Sequence, residues 1–191
     1  MAYDCLFEDL LDLAENGIVG AQYDVGFCCE YGYGVRRNLK KAARWYKRAA
    51  DGGLAAAQFK LGYFCSEGTV LEQDFKEAAK WFRLAAEQGH DAAAYSLGCF
   101  YAEGKCAERN YREAARWFRK AAAQGHPGAQ YSLGMCYLEG NGLKQNSQKA
   151  AKWFRKAAAQ GHPEAELMIM LIRLKHSTSP RPVFGIRSSS F

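Results

Sequence analysis

The chain has 191 residues, 49% of them hydrophobic and 24% charged, a composition that builds a packed core and excludes the disordered and collagen-like classes. Its 26 Lys and Arg against 20 Asp and Glu leave a net charge of +6, too mild to imply nucleic acid by itself. No apolar run reaches the roughly 20 residues that cross a bilayer, and seven cysteines without a C-x-x-C pair point to reduced thiols in a cytoplasmic setting, not to a disulfide framework or a zinc ribbon.

Residues 1–17 read as an amphipathic N-terminal capping helix with Leu6, Phe7, Leu10, Leu13 and Ala14 on its apolar side. Its acidity is the reverse of a secretory signal. From there the chain repeats. Trp45, Trp81, Trp117 and Trp153 stand 36 residues apart, and the same step relates Gly26, Gly62, Gly98 and Gly134. Such a period predicts a stacked array, with repeats at 18–53, 54–89, 90–125 and 126–161. Each unit is expected to hold a first helix A and a second helix B, over Pro127–Glu139 and Ser147–Gln160 in the fourth. Asn38, Asp74, Asn110 and Asn146 cap helix B, Glu77 and Glu113 complete capping boxes, and Gly53, Gly89, Gly125 and Gly161 end it.

A glycine inside helix A costs about 1 kcal/mol against alanine. Four such glycines therefore require close approach of helix B, and the tryptophans are expected in the core, each able to bury on the order of 150–250 Å². Residues 162–175 align with a helix A but are apolar nearly all round, and Met170 takes the slot of the packing glycine. Leu167, Met168, Met170, Leu171 and Leu174 are candidates for self-association into a homo-oligomer or for a partner contact, with burial under the tail as the alternative. Residues 176–191 are rich in Pro and Ser and are expected to form a flexible tail.

The pattern A-x-x-Q-Y-x-L-G-x-x-Y-x-E-G-x-G followed by N-x-x-K-A-A-x-W-F-R-K-A-A-x-Q-G-H, read from Gly128 to His162, resembles the Sel-one-like repeat (SLR), a relative of the tetratricopeptide repeat. The resemblance covers four full units. It implies an all-α fold, a right-handed superhelical solenoid of antiparallel helix pairs, and a non-enzymatic role as a protein-binding scaffold or adaptor. A cysteine-rich bacterial branch of the family joins helix B to the next helix A by a disulfide. The matching positions here, Ala50 and Gln58, Ala86 and Ala94, Ala122 and Gln130, Ala158 and Glu166, lack cysteine, which excludes that branch. A second loop glycine of the family is kept at Gly34 and Gly142 but replaced by Val70 and Cys106, so those loops should differ in shape.

If helix A lines the concave side, as the resemblance implies, a partner protein or peptide meets Tyr23, Phe27, Glu30 and Tyr31; Phe59, Tyr63, Ser66 and Glu67; Tyr95, Cys99 and Glu103; and Tyr131, Met135, Leu138 and Glu139. Tyr23, Phe59, Tyr95 and Tyr131 recur and are half structural. Phe27, Tyr63, Cys99 and Met135 vary, as do Glu30, Ser66, Ala102 and Leu138, and variation in otherwise uniform repeats is where specificity is expected. Glu67, Glu103 and Glu139 oppose the macrodipole at the end of helix A, an arrangement expected to be offset by an ion pair with a helix B cation, a basic ligand in the groove being the alternative.

The in-register His90, His126 and His162 are read as turn residues, because stacked repeats hold them roughly 10 Å apart, too far to share a metal. No hydrolase, metalloprotease or P-loop motif occurs, so no catalytic residue, metal or cofactor is expected. Cys28, Cys29, Cys65 and Cys136 read as buried filler, whereas Cys5, Cys99 and Cys106 are candidates for exposure, the last two for a redox role. The helix B stripe, including Arg44, Lys47, Arg48, Arg83, Arg116 and Arg155, is expected to be a solvated face with the aromatics opposite it. A cytoplasmic inhibitor or immunity protein that neutralises one enzyme, and nucleic-acid binding through this stripe, are the alternatives to the scaffold reading. No membrane insertion is expected.

Overall fold

The structure, a computed structural model, describes residues 2–177, with side chains from Phe7 to Leu174. The side chain of Cys5 and most of the expected tail lie outside this span. Among the described residues there are ten α-helices: α1 (Ala2–Glu15), α2 (Val19–Tyr31), α3 (Leu39–Asp51), α4 (Ala55–Glu67), α5 (Phe75–Glu87), α6 (Asp91–Glu103), α7 (Tyr111–Ala123), α8 (Pro127–Glu139), α9 (Ser147–Ala158) and α10 (Ala165–Ser177). Each packs on the helix before it and the helix after it, which makes a solenoid of helix pairs. Helices A are α2, α4, α6 and α8; helices B are α3, α5, α7 and α9.

The caps form where the residue types demand. Asn38, Asp74, Asn110 and Asn146 adopt extended backbone and accept from N–H groups of the first turn of helix B. The capping boxes do not close. The N–H groups of these four residues instead donate to the carbonyls of Cys29, Cys65, Tyr101 and Tyr137 at 2.7 to 2.9 Å, tying the start of each helix B to helix A of its own repeat. Glu77 turns to Lys80 at 2.8 Å, and Glu113 lies 3.6 Å from Arg116. Gly53, Gly89, Gly125 and Gly161, with φ from 79° to 101°, end the helices B. Unlike Pro127, which opens α8, Pro163 stays in a turn, so α10 starts at Ala165 and runs on to Ser177.

The packing glycines are the contact points within each repeat. A Cβ at Gly26 would lie 2.8 Å from Tyr46, at Gly62 2.8 Å from Phe82, and at Gly98 and Gly134 2.6 Å from Phe118 and Phe154. The ring that fills the slot is therefore the residue after tryptophan, not tryptophan itself. Tyr46 and Phe154 are fully buried, with Phe82 and Phe118 close behind. Trp117 is buried, but Trp45, Trp81 and Trp153 are only partly so, which corrects the expectation that all four form the core. The two columns are adjacent in sequence and share one period. A helix turns about 100° between them, so only one can face helix A. Alanines such as Ala42, Ala78, Ala114 and Ala150, all with no exposed surface, complete the close approach.

Between repeats the tie is polar. Buried Gln22, Gln58 and Gln130 donate through Nε2 to the carbonyls of Ala14, Ala50 and Ala122 in the preceding helix, at 3.2 to 3.4 Å. Gln58 and Ala50 are one of the pairs that a disulfide joins in the cysteine-rich branch. Gln88 and Gln160 extend the chain, each donating to a glutamine side chain and to the carbonyl of Gly53 or Gly125. In the third repeat Ala94 leaves the tie unmade. The loops differ as expected: Gly34 and Gly142 take φ of 65° and 71°, which Val70 and Cys106 do not adopt. At Gly142 a Cβ would meet the Tyr111 carbonyl, so that loop packs backbone to backbone on the start of α7.

Gly98→Ala should lower unfolding free energy by about 1–3 kcal/mol, because overpacking against Phe118 outweighs the gain in helix propensity. Gly20→Ala in α2, which has open space around it, should be neutral or stabilising by at most about 1 kcal/mol. Urea denaturation of the two variants measures the difference, and equal effects would remove the packing role assigned to Gly98.

Candidate functional site

The recurring aromatics of helix A hold the repeats in register. Tyr23, Phe59, Tyr95 and Tyr131 are half-buried, each with its ring centroid 5.3 to 5.9 Å from the core ring of its own helix B. In three repeats the other neighbour is a histidine from the next repeat: Phe59 stacks on His90 at 4.6 Å, Tyr95 on His126 at 4.5 Å and Tyr131 on His162 at 4.4 Å. His90 and His126 are also N-caps, their Nδ1 atoms accepting from Ala93 and Ala129 N–H at 3.3 and 3.1 Å. Burial lowers the pKa of both, only partly offset by Asp91. His162 precedes the delayed start of α10. Its Nδ1 lies 3.2 Å from Glu164 but is buried without hydrogen-bond geometry to any acceptor or donor. Among the described residues no three His, Cys, Asp or Glu gather as a metal site.

The variable positions of helix A split along the array. Phe27, Tyr31 and Tyr63 are 38%, 50% and 47% exposed. Cys99, Met135, Ser66 and Leu138 are half-buried, while Glu67, Glu103 and Glu139 are exposed. Phe27 and Tyr31 meet at 4.6 Å between ring centroids, and Tyr33 from the following loop closes the cluster at 5.8 and 6.1 Å. Tyr33, 59% exposed, carries no periodic signal in the sequence because its equivalents are Thr69, Lys105 and Asn141. Beside the cluster a depression of about 420 Å³ is lined by Tyr31, Arg37, Leu39, Tyr63 and Thr69, with Glu30 and Phe64 behind.

Glu30 is the centre of a network that, among the described residues, is found only at this end. The Tyr46 hydroxyl donates to it at 2.6 Å, and Lys60 binds both of its oxygens at 2.9 and 3.0 Å. Burial and the bond to Glu30 raise the Tyr46 pKa, so the hydroxyl stays a donor. Burial opposes the Lys60 ammonium, but Glu30 outweighs it and carries the lysine pKa above its ordinary value. A hydrogen bond to a charged group contributes about 1.5–3 kcal/mol. The variation at Glu30 is therefore coupled to the core: Tyr46 replaces phenylalanine, and Glu30 replaces the Ser66, Ala102 and Leu138 of the other repeats.

The expected ion pairs between the terminal acids of helix A and helix B cations are not made. Glu103 pairs with the loop residue Lys105 at 2.7 Å, Glu139 accepts from Asn141 at 2.7 Å, and Glu67 has no ion-pair partner among the described residues. The helix B face also departs from expectation. Its cations lie over the tryptophans: Arg48 over Trp45 at 4.6 Å from the ring centroid, Lys47 over Trp81 at 5.1 Å, and Lys120 and Lys156 over Trp117 and Trp153 at 4.5 Å. Aromatics are thus interleaved with the basic stripe. The described cysteines are free, and burial pushes the thiols of Cys28, Cys29, Cys65, Cys99 and Cys106 up and that of Cys136 up to about 11. Cys99 and Cys106 are half-buried, and such thiols stay protonated at neutral pH, against the low-pKa environment a redox cysteine needs.

Compared with known proteins, the chain matches the Sel1 repeat at residues 19–54, 55–90, 91–126 and 127–162. No curated protein matches it. Among solved structures it is similar to a protective antigen present in uropathogenic Escherichia coli strains that displays an SLR fold, at 38% identity and a TM-score of 0.84 over 87% of this chain. The chain spans 36% of that protein's length. It is also similar to a Sel1 repeat protein from Oxalobacter formigenes, at 35% identity and a TM-score of 0.86, covering 94% of this chain and 74% of the other. An immunity protein from Pseudomonas aeruginosa, 19% identical with a TM-score of 0.53 over 92% of this chain and 72% of its own, shares the fold alone.

Protonating His90 or His126 would remove an N-cap acceptor and put positive charge at the positive end of a helix. Because their folded pKa values lie below the ordinary 6.5, the unfolded chain binds more protons across that range. The stability due to the neutral rings is full above 6.5 and is lost as pH falls through it. The thermal midpoint should fall from about pH 7.5 to about 5.5, and the double variant His90→Asn/His126→Asn, whose side chains cap without titrating, should fall less. Parallel curves for the two proteins would contradict this.

Proposed function

The chain belongs to the Sel1 repeat family, whose members are generally non-catalytic scaffolds for protein–protein interaction, and from that premise we propose that it holds a partner protein or peptide on the exposed face of its helices A, centred on the first two repeats. The supporting observation is the aromatic cluster of Phe27, Tyr31 and Tyr33 with Tyr63 nearby, all more than a third exposed in a fold that buries its other helix A rings more deeply. Aromatic side chains with exposed faces and fixed backbones lose little entropy on binding and dominate interface energetics. The Glu30–Lys60 pair stiffens the floor beneath them. Met135 and Leu138, half-buried at the positions of Phe27 and Glu30 three repeats on, extend the surface along the array. A reducing, cytoplasmic setting fits the free thiols.

The intact protein and a variant with Phe27, Tyr63, Met135 and Leu138 changed to Ser, matched for helicity by circular dichroism, should capture different proteins from the native cell's lysate. One or a few partners retained by the intact chain and lost by the variant is the expected result. An identical set on both would remove helix A as the working surface.

A further inference from the structure

A groove lies on the helix B side, away from the aromatic cluster. It has a volume of about 980 Å³ and runs between α1, α3 and α5. Its floor is apolar: Leu61, Val70 and Leu71 come from α4 and the loop after it, and Trp45 and Trp81 stand at the sides. Its rim is basic, formed by Lys40, Lys41, Arg44, Lys47 and Arg48, all on α3 and all exposed. Of these only Lys47 has a carboxylate partner, Asp51. Lys40, Lys41, Arg44 and Arg48 form no ion pair among the described residues. The acids on the lining are Glu15 and Glu77, and Glu77 is already taken by Lys80.

Helix α3 is built against its own electrostatics. Its first turn has no acid, and Lys41 occupies the position held by Glu77 in α5 and Glu113 in α7. Cations there oppose the macrodipole, which favours negative charge at a helix start. The same rule is broken in α9, which has no acid in its first turn and Lys149 at this position. On α3, however, the break adds to four cations without ion-pair partners among the described residues beside a groove with an apolar floor, where a ligand can supply the opposing charge.

We propose that this groove is a second binding site, and that its occupant is an acidic peptide segment with apolar anchors, carried by a partner protein. Carboxylates on the segment neutralise the α3 rim while Leu, Phe or Trp side chains enter the floor between Trp45 and Trp81. A nucleic acid fits less well. One face of each tryptophan ring is already covered by Arg48 or Lys47, which removes the stacking platforms that single strands use, and an aliphatic floor offers a phosphate backbone nothing.

The direct test is fluorescence anisotropy with the labelled peptide DELDWLEEFLDE, a copy with every acid changed to Lys, and oligo(dT) of equal length. The acidic peptide should bind the intact chain and the Lys copy should not. Binding should weaken about tenfold or more in Arg44→Glu/Arg48→Glu and in about 0.5 M NaCl. Lys40→Ala/Arg44→Ala, a milder change at exposed positions, should weaken it in the same direction. Phe27→Ser/Tyr63→Ser should leave it unchanged, which separates this groove from the helix A surface. Absence of binding, indifference to the α3 substitutions, equal binding of the Lys copy, or tighter binding of oligo(dT) would overturn the proposal.

Discussion

The architecture depends on one contact made four times: a glycine in helix A that leaves no room for a Cβ beneath an aromatic ring of helix B. Gly26, Gly62, Gly98 and Gly134 give up helix propensity so that Tyr46, Phe82, Phe118 and Phe154 can press on bare backbone. That approach sets the distance between the two helices, and the distance in turn governs the rest of the packing. Alanines rather than larger residues fill the remaining seam. The carbonyls of Cys29, Cys65, Tyr101 and Tyr137 come within reach of the cap residues of helix B, and the recurring aromatics of helix A rest on the same rings. In α10 the contact is absent, with Met170 in the glycine slot, and Leu167, Met170, Leu171 and Leu174 are exposed with Met168 half-buried.

Most of this was legible in the residues. The 36-residue step, the cap column and the glycine column each follow from steric or hydrogen-bonding rules that act within a turn or two of helix, and α8 spans the very residues expected of it. The tryptophans misled because periodicity cannot distinguish a core column from its neighbour. Both recur every 36 residues, and size alone favours the larger ring for the core. The signal that separates them was present: Trp occurs in all four repeats, whereas the true core column changes from Tyr46 to phenylalanine in step with Glu30. Reading those two positions together would have revealed the Tyr46–Glu30–Lys60 network, which no single column contains. The failed capping boxes have a similar cause, since the competing acceptors belong to a helix some nine residues earlier in the chain.

The candidate surfaces were harder to read, for a physical reason. Exposure depends on the position of a repeat in the stack. Equivalent residues are open in the first two repeats, at Phe27 and Tyr63, and partly covered in the later ones, at Cys99 and Met135. The basic stripe likewise is not uniform. Among the described residues α3 carries five cations, and α1 forms the opposite wall of the groove beside it, contributing Leu11 and Glu15. The two ends of the array thus differ in kind: the exposed aromatic cluster and the basic-rimmed groove lie at the N-terminal end, while the C-terminal end carries an apolar helix.

The measurement that bears most directly on this account is the equilibrium unfolding of two neighbouring truncations, Trp81→Ala and Phe82→Ala. If the glycine–ring contact governs each repeat, Phe82→Ala should cost about 3–5 kcal/mol, and loss of the partly buried Trp81 should cost less than about half as much. If Trp81→Ala proves as destabilising as Phe82→Ala or more so, tryptophan is the anchor of the repeat and the account is wrong at its base.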